Sequence, residues 1–187
     1  MPRNRRNLVV DADIVRSAGT VQATHPRSSL CRSVLESIRT AGHSVVLSDA
    51  LYAEWRRHMS GYSATWLGNM QSASRVVRLK DDELPDLSSL LSHCACGNAQ
   101  DRRVQVMSKD IHLVETALAE RAGKAVVSAD GVVRRYLLVH VRCDSRIGVV
   151  VWVNPEIEDH GCLDWLRAGA KLERARQLRR QADLEMT

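Results

Sequence analysis

Residues 7–19 read NLVVDADIVRSAG, a short apolar run that ends in two acids, Asp11 and Asp13. Leu8, Val9 and Val10 have the make-up of a buried strand, and a carboxylate placed directly after such a strand is costly unless it meets a partner. A turn with a helix cap would account for an acid there. So would the rim of a site that holds positive charge. The pattern returns twice, in SVVLSD (residues 44–49) and KAVVSAD (residues 124–130), each a short apolar strand closing on an acid.

Helical spacing fills the intervals. Leu30, Val34, Leu35 and Ile38 fall on one face of a helix over residues 28–42, with Ser28 or Ser29 as N-cap and Gly42 as its stop. Residues 50–74 read as two helices broken near Gly61. The segment 75–80, RVVRLK, fits a strand or the end of that helical region. Residues 81–100 hold Pro85 and many serines, so loop interrupts helix there. Residues 101–123 form a strongly amphipathic helix, or two, closing on Gly123. GVVRRYLLVHV (131–141) fits helix or strand on periodicity alone, RIGVVVWVNP (146–155) reads as a β-branched strand stopped by Pro155, and the chain from 159 onward reads as one helix. Short apolar strands alternating with helices predict an α/β fold: a single three-layer domain with a mostly parallel central sheet and flanking helices over residues 1–155, plus a C-terminal helical extension over 156–187. In such sheets, ligands bind beyond the carboxyl ends of the strands.

The chain has 187 residues, 44% of them hydrophobic, which suits one domain with a real core. No segment approaches the roughly 20 apolar residues of a membrane span, and the basic start MPRNRRN is not followed by a signal peptide's apolar region. Five cysteines without framework-like spacing predict free thiols in a reducing cytoplasm. A formal charge of +5 is compatible with nucleic acid, but Phe is absent and aromatics are only 4%, so contacts would rest on phosphates rather than stacked bases. The excess of Arg and Lys near the C-terminus predicts a helix that packs by Leu166, Ala170, Leu172 and Leu178 and turns a basic face outward.

Four acids are expected on one rim. Asp11 and Asp130 follow strands directly. Glu54 lies in the first turns of the helix after the second strand. Asp110 opens the stretch DIHLVETALAE and shares a helical stripe with Val114 and Ala117, which would carry it inward. Each alone fits a bland role, Asp110 and Asp130 as N-caps and Glu54 as an exposed helical acid. Carboxylates held together repel one another and call for a cation, and an all-oxygen set suits Mg²⁺ or Mn²⁺.

The ordered set VVDADIV, LSDALYAEW, SKDIHLVETAL and VVSAD resembles the PIN-domain family of metal-dependent nucleases over residues 7–153. The resemblance implies that Asp11, Glu54, Asp110 and Asp130 are the catalytic and metal-site acids, supported by Asp13 and by Ser128 in the family's hydroxyl position. It also implies Mg²⁺- or Mn²⁺-dependent cleavage of single-stranded RNA, commonly as the toxin of a toxin–antitoxin pair with an antitoxin protein as partner, and often as a homodimer. The chain departs from compact members in its longer middle region, residues 60–100, in its extra C-terminal helix, and in GVVRR after Asp130. DNA is a second substrate compatible with the same residues.

Rival readings use fewer of these residues. DADIV also fits the strand-end signature of haloacid-dehalogenase-like phosphatases, with Asp11 as nucleophile and Asp13 as acid–base. That reading lacks a convincing lysine, Lys109 and Lys124 being poor candidates, and leaves Glu54 and Asp110 without roles. A catalytically inactive PIN-like module that binds RNA is the other rival. HCACGN, with His93, Cys94 and Cys96, lacks the partner pair of a zinc site and reads as a loop with free thiols. His112, two residues from Asp110 on a helix, is expected on a different face and is given no catalytic role.

Overall fold

The computed structural model describes residues 5–87, 102–119, 121–142, 144–157 and 160–185. Five strands, β1 (Asn7–Val10), β2 (Ser44–Ser48), β3 (Val76–Leu79), β4 (Ala125–Val127) and β5 (Val151–Val153), form one sheet in the order β3-β2-β1-β4-β5. Every neighbouring pair is parallel. Such a sheet needs a crossover between strands, and helices supply them: α1 (Ala12–Ser17) and α2 (Pro26–Ala41), then α3 (Asp49–His58) and α4 (Gly61–Ser72), then α5 (Arg102–Leu118), then α6 (Gly131–His140) and α7 (Ser145–Gly148). The C-terminal segment adds α8 (His160–Arg167) and α9 (Leu178–Glu185). Helix α2 packs on α4 and α8, while α5 lies against β1, β2, β4 and α6, and α9 against α6 and α7. The sheet is covered on both faces, which is why its central strands are runs of fully buried Val, Leu and Ala rather than alternating patterns.

The chain leaves β1 toward β2 and, much later, returns to β1's other side as β4. The order of strands therefore reverses between β1 and β4, and in such sheets the crevice for a ligand lies beyond the carboxyl ends at that reversal. Asp11 follows β1 and Ser128 follows β4, so both stand at that crevice.

Several local expectations are corrected. Helix α2 starts at Pro26, whose fixed φ suits the first helical position, and its cap is His25 rather than Ser28 or Ser29: the ring Nδ1 accepts from the Arg27 amide at 3.3 Å. Residues 102–118 are a single helix, so Asp110 sits in its interior instead of at its head. The β5 strand is only three residues long, because Asp144 caps a helical turn over Ser145–Gly148 within the expected strand. The ambiguous segments resolve as strand at Val76–Leu79 and helix at Gly131–His140. The C-terminal segment is two helices joined through a 3-10 turn at Arg174–Arg176, since the backbone turns left-handed at Gly169 and Ala170. Leu166, Ala170 and Leu178 are fully buried as expected, whereas Leu172 stays 36% exposed. His93, Cys94, Cys96 and Cys143 lie outside the described residues; Cys31 and Cys162 are buried free thiols, and burial pushes both up to about 12.

Two positions tie distant segments together. His43 is fully buried: its Nδ1 accepts from the Arg6 amide at 3.1 Å and its Nε2–H donates to the Leu166 carbonyl at 2.8 Å. The ring is thus held neutral between the entry to β1 and helix α8, and burial keeps its pKa below the ordinary value. Gly123 approaches the backbone of β1 so closely that a Cβ built on it would stand 2.0 Å from the Asn7 carbonyl oxygen. The backbone of the central strand cannot yield as a flexible side chain can. Gly123→Ala is expected to destabilise the fold by about 1–3 kcal/mol, the usual cost of overpacking, measured as a lower urea midpoint with an unchanged slope.

Candidate metal centre

Asp11 anchors the crevice. It is the N-cap of α1, with its Oδ1 accepting from the Asp13 amide at 3.4 Å, and it is 7% exposed. Its Oδ2 accepts from the Ser128 hydroxyl at 2.6 Å, and the Ser128 Oγ in turn accepts from the Asp130 amide at 3.0 Å. One hydroxyl therefore bridges the ends of β1 and β4. Burial, opposed by these hydrogen bonds, pushes the Asp11 carboxyl above its ordinary value, with the charges of Glu54 and Asp130 adding to the shift.

Asp13 lies just behind. Its Oδ2 accepts from the Ala129 amide at 3.1 Å and stands 3.6 Å from Arg27 Nη2, while its Oδ1 is buried and meets no hydrogen-bond donor among the described residues. Burial first, then the Asp11 charge, pushes its carboxyl up to about 8. Asp130 caps α6, its Oδ1 accepting from the amides of Val132 at 2.7 Å and Val133 at 3.0 Å. The capping role anticipated as the bland reading is real, and it leaves the second carboxylate oxygen without a hydrogen bond among the described residues.

The other two acids come from helices. Asp110, in the interior of α5, accepts no hydrogen bond from a described residue, and burial followed by the charges of Asp11 and Glu54 lifts it to about 6. Glu54, in the second turn of α3, faces His112 of α5, whose Nε2 stands 3.2 Å from its Oε2. This contact holds the Glu54 carboxyl below its ordinary value against a half-buried setting. Ser48 fixes these two helices to the sheet: it caps α3 through the Leu51 amide and accepts from the Thr116 hydroxyl of α5 at 2.9 Å, both residues fully buried.

Asp11 thus feels the charges of Glu54 and Asp130, Asp13 those of Asp11 and Asp130, and Asp110 those of Asp11, Glu54 and Asp130. They do not form a finished coordination cage. Among the described residues no three His, Cys, Asp or Glu side chains are grouped closely enough to hold a metal ion. Glu54 is turned to His112, and the carboxyls of Asp11 and Asp13 are tied to hydroxyl and amide donors.

Two residues of the site were missed from sequence. Helical spacing puts His112 on another face than Asp110, yet α5 packs against α3 as well as the sheet, and His112 meets Glu54 there. Arg27 links Asp13 to Glu156, whose Oε1 is 3.0 Å from the guanidinium Nε. Nothing in the first turn of α2 announces that role, which depends on α2 reaching residues that follow β1 and β5.

No family model, curated protein or solved structure matches the chain. Among the described residues no helix is long and apolar enough to cross a membrane.

Proposed function

We propose that this chain is a metal-dependent nuclease of the PIN type that hydrolyses phosphodiester bonds of single-stranded RNA. The observation that carries the reading is the gathering of Asp11, Asp13, Asp110 and Asp130 with Glu54 at the β1/β4 crevice, where burial and mutual repulsion raise three of the carboxyls. Such an arrangement costs stability unless positive charge offsets it. The residues fit a hard divalent ion such as Mg²⁺ or Mn²⁺: the donors are carboxylate oxygens, and the buried Oδ1 of Asp13 has no other partner among the described residues. Asp11, Glu54, Asp110 and Asp130 would hold the ion, which would supply an activated water and neutralise charge on the phosphodiester.

The chain's own groups divide the remaining work. Ser128 orients Asp11 through its hydroxyl, and the Ala129 amide orients Asp13. Asp110, with neither an ion pair nor a hydrogen bond among the described residues, has the carboxyl freest to turn toward a ligand. His112 keeps Glu54 charged and in place. Single-stranded RNA as substrate, an antitoxin protein and a second copy of the chain as partners, and a cytoplasmic setting belong to the same proposal, carried over from the sequence resemblance.

The test is cleavage of end-labelled single-stranded RNA in Mn²⁺ by the wild type and by Asp110→Asn purified in parallel. Loss of one charge at nearly constant shape should lower the rate at least about a hundredfold, as removal of a single electrostatic group at a reacting centre does, and chelator should abolish wild-type cleavage. Equal cleavage by both proteins would overturn the assignment.

A further inference from the structure

The sequence RARQLRR, residues 174–180, places four arginines within seven positions. The 3-10 turn Arg174–Arg176 and the first turn of α9 fold it along β5: Gln177 forms an antiparallel bridge with Val151, the Leu178 amide donates to the Val150 carbonyl at 2.9 Å, and Gln181 Nε2 donates to the Trp152 carbonyl at 2.9 Å. This strap presents more positive charge than its surroundings neutralise. Arg176 pairs with Glu173 at 2.9 Å and Arg180 approaches Asp183 at 4.0 Å, but Arg174 and Arg179 are exposed and have no acidic partner among the described residues. The first turn of α9 contains no acid, although the positive end of a helix favours one there.

The charge lines concavities. Arg174, Gln177, Arg179 and Arg180 line a cavity of about 390 Å³, with Asp183 the only acid among its described lining residues. A second cavity of about 340 Å³ is lined by Arg134 and Arg176, by Glu173, the partner of Arg176, and by Asn154 and Ile157 beyond the carboxyl end of β5. The first includes Gln177, which bridges to Val151 at the amino end of β5, and the second includes Asn154 beyond its carboxyl end. Arg134 comes from α6, the helix that Asp130 caps, and is held toward the strap by Gln181 at 2.8 Å and Glu185 at 2.5 Å.

We propose that this arginine strap is a phosphate track: it binds the backbone of a single-stranded RNA whose scissile bond lies at the β1/β4 crevice, with Arg174 and Arg179 each taking a phosphate. The choice of RNA as ligand rests on the function proposed above. Forked guanidinium groups match phosphate oxygens in pairs, and residues 174–180 themselves include no aromatic side chain, which fits a backbone contact without base reading. An acidic protein segment is the competing polyanion, and the experiment separates the two.

Binding of a fluorescein-labelled oligouridylate is measured by anisotropy over a range of salt concentrations in chelator, for the full-length wild type and for Arg174→Ala/Arg179→Ala. Losing two phosphate contacts should weaken binding about tenfold at low salt and flatten the plot of log affinity against log salt by about 1.4, at about 0.7 per contact on a single strand. Both side chains are exposed, so the melting temperature should not move, and Arg174→Lys/Arg179→Lys should restore most of the slope. Mn²⁺-dependent cleavage of a trinucleotide, too short to span the strap, should be equal in wild type and double alanine variant. An unchanged slope would overturn the proposal, as would a loss confined to binding of polyglutamate. RNA that binds with the expected slope difference yet is never cleaved would keep the track and remove the nuclease.

Discussion

In chelator at about pH 7.5, Asp11→Asn is expected to melt higher than the wild-type chain and to lose the stabilisation that Mn²⁺ gives the wild type. Asp11 is buried and its carboxyl is raised, as are those of Asp13, to about 8, and Asp110, to about 6. A carboxyl whose folded pKa lies above its unfolded value binds its proton more tightly when folded. Raising the pH through the ordinary value near 3.8 strips the unfolded chain first, so stability falls, and the penalty is complete only above the folded pKa. Without a divalent ion, the melting temperature of the wild type should therefore decline as pH rises from about 4 to about 8. Removing the Asp11 charge lowers the repulsion on its neighbours and should flatten the decline. An ion bound at a hundred times its dissociation constant stabilises by about 2.7 kcal/mol, equivalent to about 5–10 °C for a chain of this size. The wild type should gain that increment in Mn²⁺ and Asp11→Asn should gain little. Differential scanning fluorimetry across pH, with and without Mn²⁺, decides the matter. A wild-type melting temperature that is flat or rising over the window would refute the electrostatic account of the crevice.

Trp55→Ala should be the most damaging single change at the boundary between core and site. Trp55 is fully buried in α3, next to Glu54, with its ring tilted against Trp66 at 6.4 Å. Its indole N–H donates to the Val10 carbonyl at 3.0 Å, the last carbonyl of β1 before Asp11. Truncation leaves a cavity and an unpaired carbonyl together, at a cost of about 3–5 kcal/mol, and the melting temperature should fall by about 10 °C or more. Trp55→Phe restores most of the volume but not the donor, and should cost about 1–3 kcal/mol. If alanine and phenylalanine were equally tolerated, the bond to Val10 and the packing around it would both be unimportant.

Much of this architecture was legible in the sequence because parallel strands buried on both faces leave short, unbroken apolar runs. Leu8–Val10, Val45–Leu47 and Ala125–Val127 are such runs, and the acids after the first and last of them fixed one rim of the sheet. The same property hid β5: Val149 and Val150 continue its apolar run, and only the Asp144 cap shows where the preceding helical turn ends. Asp110 was placed correctly by its stripe and wrongly by its position within the helix, because the residues before it carry no stop signal. Asp11, Asp13, Ser128 and Asp130 meet through hydrogen bonds a few residues from their strand ends, a short-range consequence of register. His112 with Glu54, and Arg27 with Asp13, depend on how helices are set against one another, and sequence periodicity carries no record of that.

The bridge between Gln177 and Val151 also bears on how copies of this protein can assemble. A terminal strand of an open sheet is a template on which another chain can add its own backbone, the first step of domain exchange or fibril growth. Here the protein's own C-terminal segment holds the Val150 carbonyl just before β5 and the Val151 and Trp152 positions within it, then departs into a helix, which leaves less of that flank open to copy. Accretion on that side would first have to peel away a segment anchored by the buried Leu178 and Ala182. Partners approaching β5 are thereby confined to contacts with side chains, and proteolytic removal of the last helix would turn an inert flank into an adhesive one.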